Sequence, residues 1–448
     1  MKSSRALAVG LALVMLSGCG AGRALSGMWS KKPDPAKEAE SGRISILTFE
    51  QELAADPKMA GRTPSVPPPV DLRDWPQPGG GPDNAPGNIQ FGDALRVAWK
   101  QSAGEGSSRS EHISAPPVIA DGKVFVIDAG QNLHAMRAAD GRKIWSKSLR
   151  PPKGRDRTAV GGGVAYADGR VFASSGFGGV VAFNAENGEE IWRTSSNAPF
   201  HAAPTASGGR VYAVTNDSEL MAFDAATGQV LWTHQAIAEP ARILAASSPA
   251  VVGDTVIAPF ASGEVVALLA ANGRRLWADA LTRVGRLTSL SAINDVAGRP
   301  VLADGVVYAV SHSGVMAAID ERSGQRIWAR GIASTQTPCV AGDALYVVTV
   351  DGEVAALDRA TGAAFWVKQL PRYEKEKKQK NRIAWTGPIL VGSDLFLASS
   401  QGEGLLMSPA TGEIVKRVKI DEPIFVPPVA VSGAIYLVSD EGKLIALQ

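Results

Sequence analysis

Chemistry in this chain would need nucleophiles, metal ligands or acid–base pairs at workable spacings, and the 448 residues offer few. The five histidines, His112, His134, His201, His234 and His312, share no short metal-ligand spacing, and no Gly-x-Ser-x-Gly nucleophile turn occurs. The two cysteines, Cys19 and Cys339, are too few for a disulfide framework or a four-thiolate zinc site. Cys339 stands in an apolar strand context, where a buried, inert thiol is expected. Gly176-Phe177-Gly178-Gly179 has the composition of a phosphate loop, but it joins strand to strand and opens no helix. Asp224, Asp320 and Asp358 recur at one position of an Asp-x-x-Thr/Ser-Gly pattern. Repeat-equivalent acids cap turns and do not converge on one cation, so no catalytic residue, metal site or cofactor is expected.

The elements that carry these residues are repetitive. Formal charge is +2 from 46 basic and 44 acidic residues, which gives no whole-protein attraction to nucleic acid. A composition of 45% hydrophobic and 20% charged residues is that of a folded protein. Length alone suggests two or three domains, but the tryptophans do not fit that division. Trp99, Trp145, Trp192, Trp232, Trp277, Trp328 and Trp366 recur every 38–51 residues, and Val415 takes the Trp position in a further copy. Each copy holds apolar runs of four to six residues, such as Val124–Ile127, parted by Asp-Gly or Gly-Gly turns. Three strands and a closing Trp strand per unit of about 45 residues are the signature of a propeller blade. The last copy begins at Pro428 and stops at Gln448, one strand short, while Ala94–Lys100 around Trp99 is a strand without a unit. Pairing the two closes the ring and removes an open sheet edge. The expected fold is therefore all-β: an eight-bladed β-propeller of four-stranded antiparallel blades spanning residues 92–448. Each Trp is expected to wedge against the neighbouring blade.

The amino terminus reads as an address. Lys2 and Arg5 precede the apolar run Ala6–Leu16, which is too short to cross a bilayer and matches a secretory signal core. Leu16-Ser17-Gly18-Cys19 resembles the bacterial lipoprotein signal. That resemblance implies a signal peptide at 1–18 and acylation of Cys19, whose several chains would form a stable anchor. Gly20 in place of Asp implies sorting to the outer membrane under the enterobacterial rule, with the inner membrane left open. Residues 19–70, with Pro67-Pro68-Pro69, read as an extended tether, and 71–91 as a lead-in segment. Within the tether Ile44–Leu53 is apolar enough to dock on its own body or on a partner. The charge run Arg372–Arg382 reads as a solvated insertion or as a contact for an anionic surface.

The motif Ala-x-Asp-x-x-Thr-Gly-x-x-x-Trp, as at Ala222–Trp232, resembles the repeat of pyrroloquinoline-quinone enzymes and their non-enzymatic relatives. The dehydrogenase branch implies an adjacent cysteine pair, long insertions and acids converging on calcium, none of which this sequence has. The outer-membrane assembly-factor branch, the BamB family, is the nearer resemblance. Asp74-Trp75-Pro76-Gln77-Pro78-Gly79-Gly80 is similar to that family's run into the first strand. Gln336-Thr337-Pro338, Trp385-Thr386-Gly387-Pro388 and Val306–Gly314 resemble its alphaproteobacterial forms. The resemblance implies a lipid-anchored scaffold on the periplasmic face of the outer membrane, without catalysis or cofactor. Its implied partners are the periplasmic domains of the central β-barrel insertase and the other assembly lipoproteins, with no nucleic acid and a monomeric propeller. Two loops of the family grip the insertase, and here they correspond to Arg242, Ile243 and Leu244 and to Asp295. Leu244 falls where the family has an Arg, and Ala297 departs from an Asp-Val-Asp pattern that Asp295 begins. A short quinoprotein dehydrogenase and a periplasmic propeller with another partner stay open as alternatives.

Overall fold

Each blade starts from a tight hairpin whose sequence dictates its twist. Asp121-Gly122, Asp168-Gly169 and Asp304-Gly305 all adopt positive φ at both residues, the mirror-image turn that matches the right-handed twist of the flanking strands. In this computed structural model, residues 53–92, 94–151, 158–239, 247–282 and 294–448 are described. Four-stranded antiparallel sheets follow in chain order: 118–148 (blade 1), 162–195 (blade 2), 205–235 (blade 3), 250–280 (blade 4), 301–330 (blade 5), 339–369 (blade 6) and 385–419 (blade 7). Blade 8 combines three strands from 429–447 with Val97–Ser102. Trp99 pairs with Ala446 and Lys100 with Ile445, and the main chains of Arg96 and Gln448 exchange two 2.9 Å bonds. The chain's two ends thus close the ring, as the incomplete last repeat requires.

Burial follows the radial order of the strands. Second and third strands, such as Arg210–Val214 and Glu219–Asp224, are buried at every interior position, whereas outer strands such as Val230–Gln235 are exposed or half-buried. Both faces of a blade meet a neighbouring blade, so the middle strands carry continuous apolar runs in place of alternation. Each hydrophobic cluster is accordingly shared by consecutive blades. Phe125 and Val171 belong to one cluster, Phe172 and Val211 to the next, and Tyr212 and Val256 to the one after.

The tryptophans connect one blade to the next. Across blade 3, Tyr212 pairs with Ala222 and Ala222 with Trp232, so the small middle residue lets the outer rings meet at 5.9 Å between centroids. The indole then reaches the next blade. The ring nitrogens of Trp145, Trp192, Trp232, Trp277, Trp328 and Trp366 donate to carbonyls in the third turn of the following blade, at 2.6–3.1 Å. The ring itself lies on that turn's glycine. A Cβ on Gly228 would stand 2.5 Å from the Trp192 ring, and Gly141, Gly188, Gly273, Gly324, Gly362 and Gly412 meet the other six indoles at 2.5–2.7 Å. All seven glycines also hold φ between 69° and 74°, so two independent constraints fix the residue type. The turn itself is capped as its sequence implies. Asp224 Oδ1 accepts from the Thr227 amide and hydroxyl, both at 2.8 Å, and Asp320 and Asp358 do the same with Ser323 and Thr361. These bonds hold the Asp224 and Asp320 carboxyls below the usual carboxylate range.

The seventh copy needs a correction. Counted from Gly412 and fixed by pairing with Leu406, the Trp position of blade 7 is Lys416, not Val415. Val415 occupies the outward position before it, equivalent to Leu231, and is 60% exposed. The indole is missing where it would have nothing to cover, because the third strand of blade 8 ends at Leu447 and that blade has no third turn. The middle alanine is correspondingly replaced by Leu406, which fills the space beside Phe396.

A segment before the first blade strand crosses the ring at one end. Trp75 exchanges main-chain bonds of 2.7 and 2.8 Å with Ile119 of blade 1, Pro76 accepts from Tyr166 of blade 2, Pro82 from Val251 of blade 4 and Asp83 from Leu302 of blade 5. Asn88–Ile89 adds a parallel strand to blade 7, and Gln90 and Leu72 accept from blade 8. Gln77 bridges blades 2 and 3: its amide donates to the Tyr166 and Ala206 carbonyls and accepts from the Ala206 amide at 3.0 Å. Residues 71–91, read from sequence as a run into the first strand, therefore form an axial plug. Residues 53–70, which composition places in the tether, lie on the same body. Asp56 N donates to Ala364 O, the Ser65 amide to Asp343, and Met59 is buried in the cluster of blades 6 and 7. Of Ile44–Leu53 only Leu53 falls within the described residues, packed beside the cluster of blades 5 and 6. The insertion Arg372–Arg382 is an exposed hairpin, Tyr373–Lys375 with Lys380–Arg382, whose end arginines pair with Asp351.

Two stability predictions follow from these contacts. Trp192→Ala should cost about 3–5 kcal/mol, whereas Lys416→Ala at the equivalent position of blade 7 should stay within about 1 kcal/mol; urea unfolding followed by circular dichroism compares them. Gln77→Ala should cost about 1–3 kcal/mol for each buried group it leaves unpaired, and hydrogen exchange at the Ala206 amide should accelerate.

Candidate partner-binding face and axial cavity

In a four-stranded meander the first and third turns lie at one end of the blade, and the second turn and the interblade connection at the other. The plug and the indole-covered turns occupy the first end. The other end carries the two loops singled out in the sequence, those leading into blades 4 and 5. Arg242, Ile243 and Leu244 lie outside the described residues. The base of their loop is Ser247, whose hydroxyl donates to Gly298 O at 3.1 Å, so the two loops are joined at their roots. Between blades 3, 4 and 5 they border a small cleft, lined by His201, Asn216, Ser218, Phe260, Asp295 and Val296. Asp295 is only 6% exposed and its carbonyl accepts from the His312 amide at 2.9 Å, so it forms part of the cleft wall and does not stand on a charged rim. Val296 is buried beside it and donates to Phe260 O. Asn216 Oδ1 and Ser218 Oγ are buried at this cleft without a hydrogen-bond partner.

A second space lies on the axis behind the plug. It holds about 40 Å³ and is lined by Trp75, Pro78 and Asn84 from the plug and by the residues that open the inner strands of blades 5 to 8. Three short motifs that are remote in sequence meet here: Trp75–Gly79, Gln336–Pro338 and Gly387-Pro388. Gln336 Oε1 ties two of them, accepting from the Thr386 hydroxyl at 2.9 Å and the Gly387 amide at 3.3 Å. Arg299 and Cys339 complete the lining. Arg299 escaped the sequence reading because a single arginine before a proline carries no spacing signal. Burial pushes the Cys339 thiol up to about 12, which makes it the inert thiol expected. No carboxylate lines this cavity, and among the described residues no group of three or more His, Cys, Asp or Glu could hold a metal ion. Calcium needs several anionic or carbonyl oxygens, so the axial residues do not fit a calcium–quinone pair.

Comparison with known proteins places this architecture. The family described as outer membrane protein assembly factor BamB matches residues 93–159 and 130–368, more than half of the chain. The chain belongs to this family. The BamB protein of Shigella dysenteriae is 28% identical over 395 residues, covering 78% of this chain and 88% of that one. The match to BamB of Moranella endobia is 27% identical but spans 53% of this chain and 62% of that protein. Among solved structures, BamB from Moraxella catarrhalis superposes with a TM-score of 0.67 at 19% identity, covering 79% of this chain and all of the other. A europium-containing methanol dehydrogenase reaches 0.66 at 14% identity, over 82% and 89% of the two chains. At such identities the likeness to the dehydrogenase is one of fold. For this BamB-family chain the axial thiol gives a direct check. Iodoacetamide at pH 8 should leave Cys339 unmodified in the folded protein and alkylate it in urea, as read by mass spectrometry of the Cys339 peptide.

Proposed function

We propose that this chain is a non-enzymatic scaffold lipoprotein of the outer-membrane β-barrel assembly machinery, held by acyl chains on Cys19 at the periplasmic face of the outer membrane. The family match carries this reading, since its described relatives are named outer membrane protein assembly factors. The loops leading into blades 4 and 5, with Arg242, Ile243, Leu244 and Asp295, grip the periplasmic domains of the barrel insertase. The tied loop roots and the cleft beside Val296 and Phe260 support that assignment. A rigid ring suits a scaffold, because binding then costs little ordering of the protein itself. Buried Asp295 contributes by shaping the cleft and not as a long-range steering charge.

The propeller acts as a monomer, anchored beside the other assembly lipoproteins, with no cofactor and no nucleic acid. The axial lining, one cation and no carboxylate, favours a scaffold over a quinoprotein dehydrogenase. Titration with pyrroloquinoline quinone and calcium separates the two: bound-cofactor absorbance with dye-linked alcohol oxidation would displace the scaffold reading. The positive test is affinity capture from detergent-solubilised membranes. Wild type should recover the insertase; Ile243→Asp together with Asp295→Arg should lower recovery at least tenfold while the circular dichroism spectrum is kept. Reproducible absence of the insertase in the wild-type capture would sink the reading.

A further inference from the structure

The axial cavity contains a charge with nothing opposite it. Arg299 is 8% exposed, and its side chain lines the space between the plug and the inner strands of blades 5 to 8. One guanidinium nitrogen donates to the Thr337 hydroxyl at 3.1 Å, while the buried Nε has no acceptor. Burial pulls the guanidinium down to about 10, and no carboxylate counters that desolvation. The group stays charged at neutral pH, and an uncompensated buried cation is destabilising.

Thr337 points the same way. Its hydroxyl oxygen accepts from both the Arg299 amide and the Arg299 guanidinium. With both lone pairs used, its own proton must be given to a further acceptor. A guanidinium charge without a counter-ion and the Thr337 hydroxyl thus border a space bounded by prolines, glycines, amides and an uncharged thiol. A cation is excluded by the guanidinium, and an apolar ligand would leave the charge uncompensated and the Thr337 proton without an acceptor. About 40 Å³ exceeds the roughly 10–15 Å³ that one water occupies, which leaves room for a group of a few heavy atoms.

We propose that the axial cavity binds a small free oxyanion, seated between the Arg299 guanidinium and the Thr337 hydroxyl and locking the plug to blades 5 and 6. Phosphate, sulfate and carboxylate share the required chemistry, acceptor oxygens that take charge-assisted bonds from a planar fork. The inference is independent of the insertase reading, since it concerns the axis and not the loops of the opposite face.

The test is thermal unfolding of the full lipidated protein in detergent, with sodium phosphate, sulfate or acetate replacing sodium chloride at constant ionic strength. The expected result is a saturable rise in Tm with at least one oxyanion, because a ligand of the folded state alone stabilises by mass action. A rise confined to acetate would assign the site to carboxylates; a rise with phosphate or sulfate would assign it to tetrahedral anions. The rise should vanish in Arg299→Met and require roughly tenfold more anion in Thr337→Val. Should R299M fail to fold, T337V carries the comparison. A flat Tm in all three salts, or a rise undiminished in both variants, would overturn the proposal. Crystals grown in selenate give a second readout: an anomalous peak in the axial cavity beside the Arg299 guanidinium and Thr337 Oγ1 supports the site, and ordered water alone there refutes it.

Discussion

The fold depends on one contact made seven times, an indole from the outer strand of one blade laid on a glycine in the third turn of the next. Hydrophobic burial between blades is larger in total but non-directional, and it does not by itself set the angle or register at which flat sheets meet. The indole does. Its face needs a turn without a Cβ, and in six of the seven joints its N–H donates to a carbonyl of that same turn, the Trp99 nitrogen alone having no acceptor. The Asp and Thr side chains of the turn hold that carbonyl and glycine in place. Every part of the repeat motif therefore serves one joint, which explains why acids in it are conspicuous and yet available to no chemistry. Blade 7 confirms the logic by exception. Facing a blade with no third turn, it carries Lys416 for Trp and Leu406 for Ala.

A ring built from such joints has an axis that must be filled or left open to water. Here the chain's own lead-in fills it. The plug touches the inner strands of most blades through main-chain bonds, so it acts as a hub where the indoles act as a rim. Its polar side chains, Gln77 and Asn84, are spent on carbonyls of the inner strands. The axis is consequently tight, neutral to cationic, and unlike a site for a divalent cation. The same feature creates the isolated Arg299.

Plug and indole-covered turns occupy one end of the blades, which leaves the other end, with its longer interblade connections, clear of both. Rigid sheets hold the roots of these loops, and Ser247 and Gly298 bring two of them into register. Binding residues carried on loops above a stiff scaffold are a common division of labour. The partner contact proposed for the loops leading into blades 4 and 5 follows that division.

The sequence by itself determined the blade count, the four-strand unit, ring closure and the turn-capping role of Asp224, Asp320 and Asp358. Each of these is written in local spacing that recurs, and repetition makes a local signal legible. It also identified the two loops as a pair, through resemblance to a family. Only the tertiary structure decided what depends on convergence. It placed Lys416 at the indole position, since a one-residue shift shows only in strand pairing. It placed Asp295 in a cleft wall, since its burial depends on residues such as Phe260 that line the same cleft from another blade. It also turned Asp74–Gly80 from a run into a strand into an axial plug, and brought Arg299, Thr337 and Cys339 together. Arg299 leads into blade 5 while Thr337 and Cys339 lead into blade 6, so their meeting around one axial space with the plug is fixed by closure of the ring and not by their local sequence.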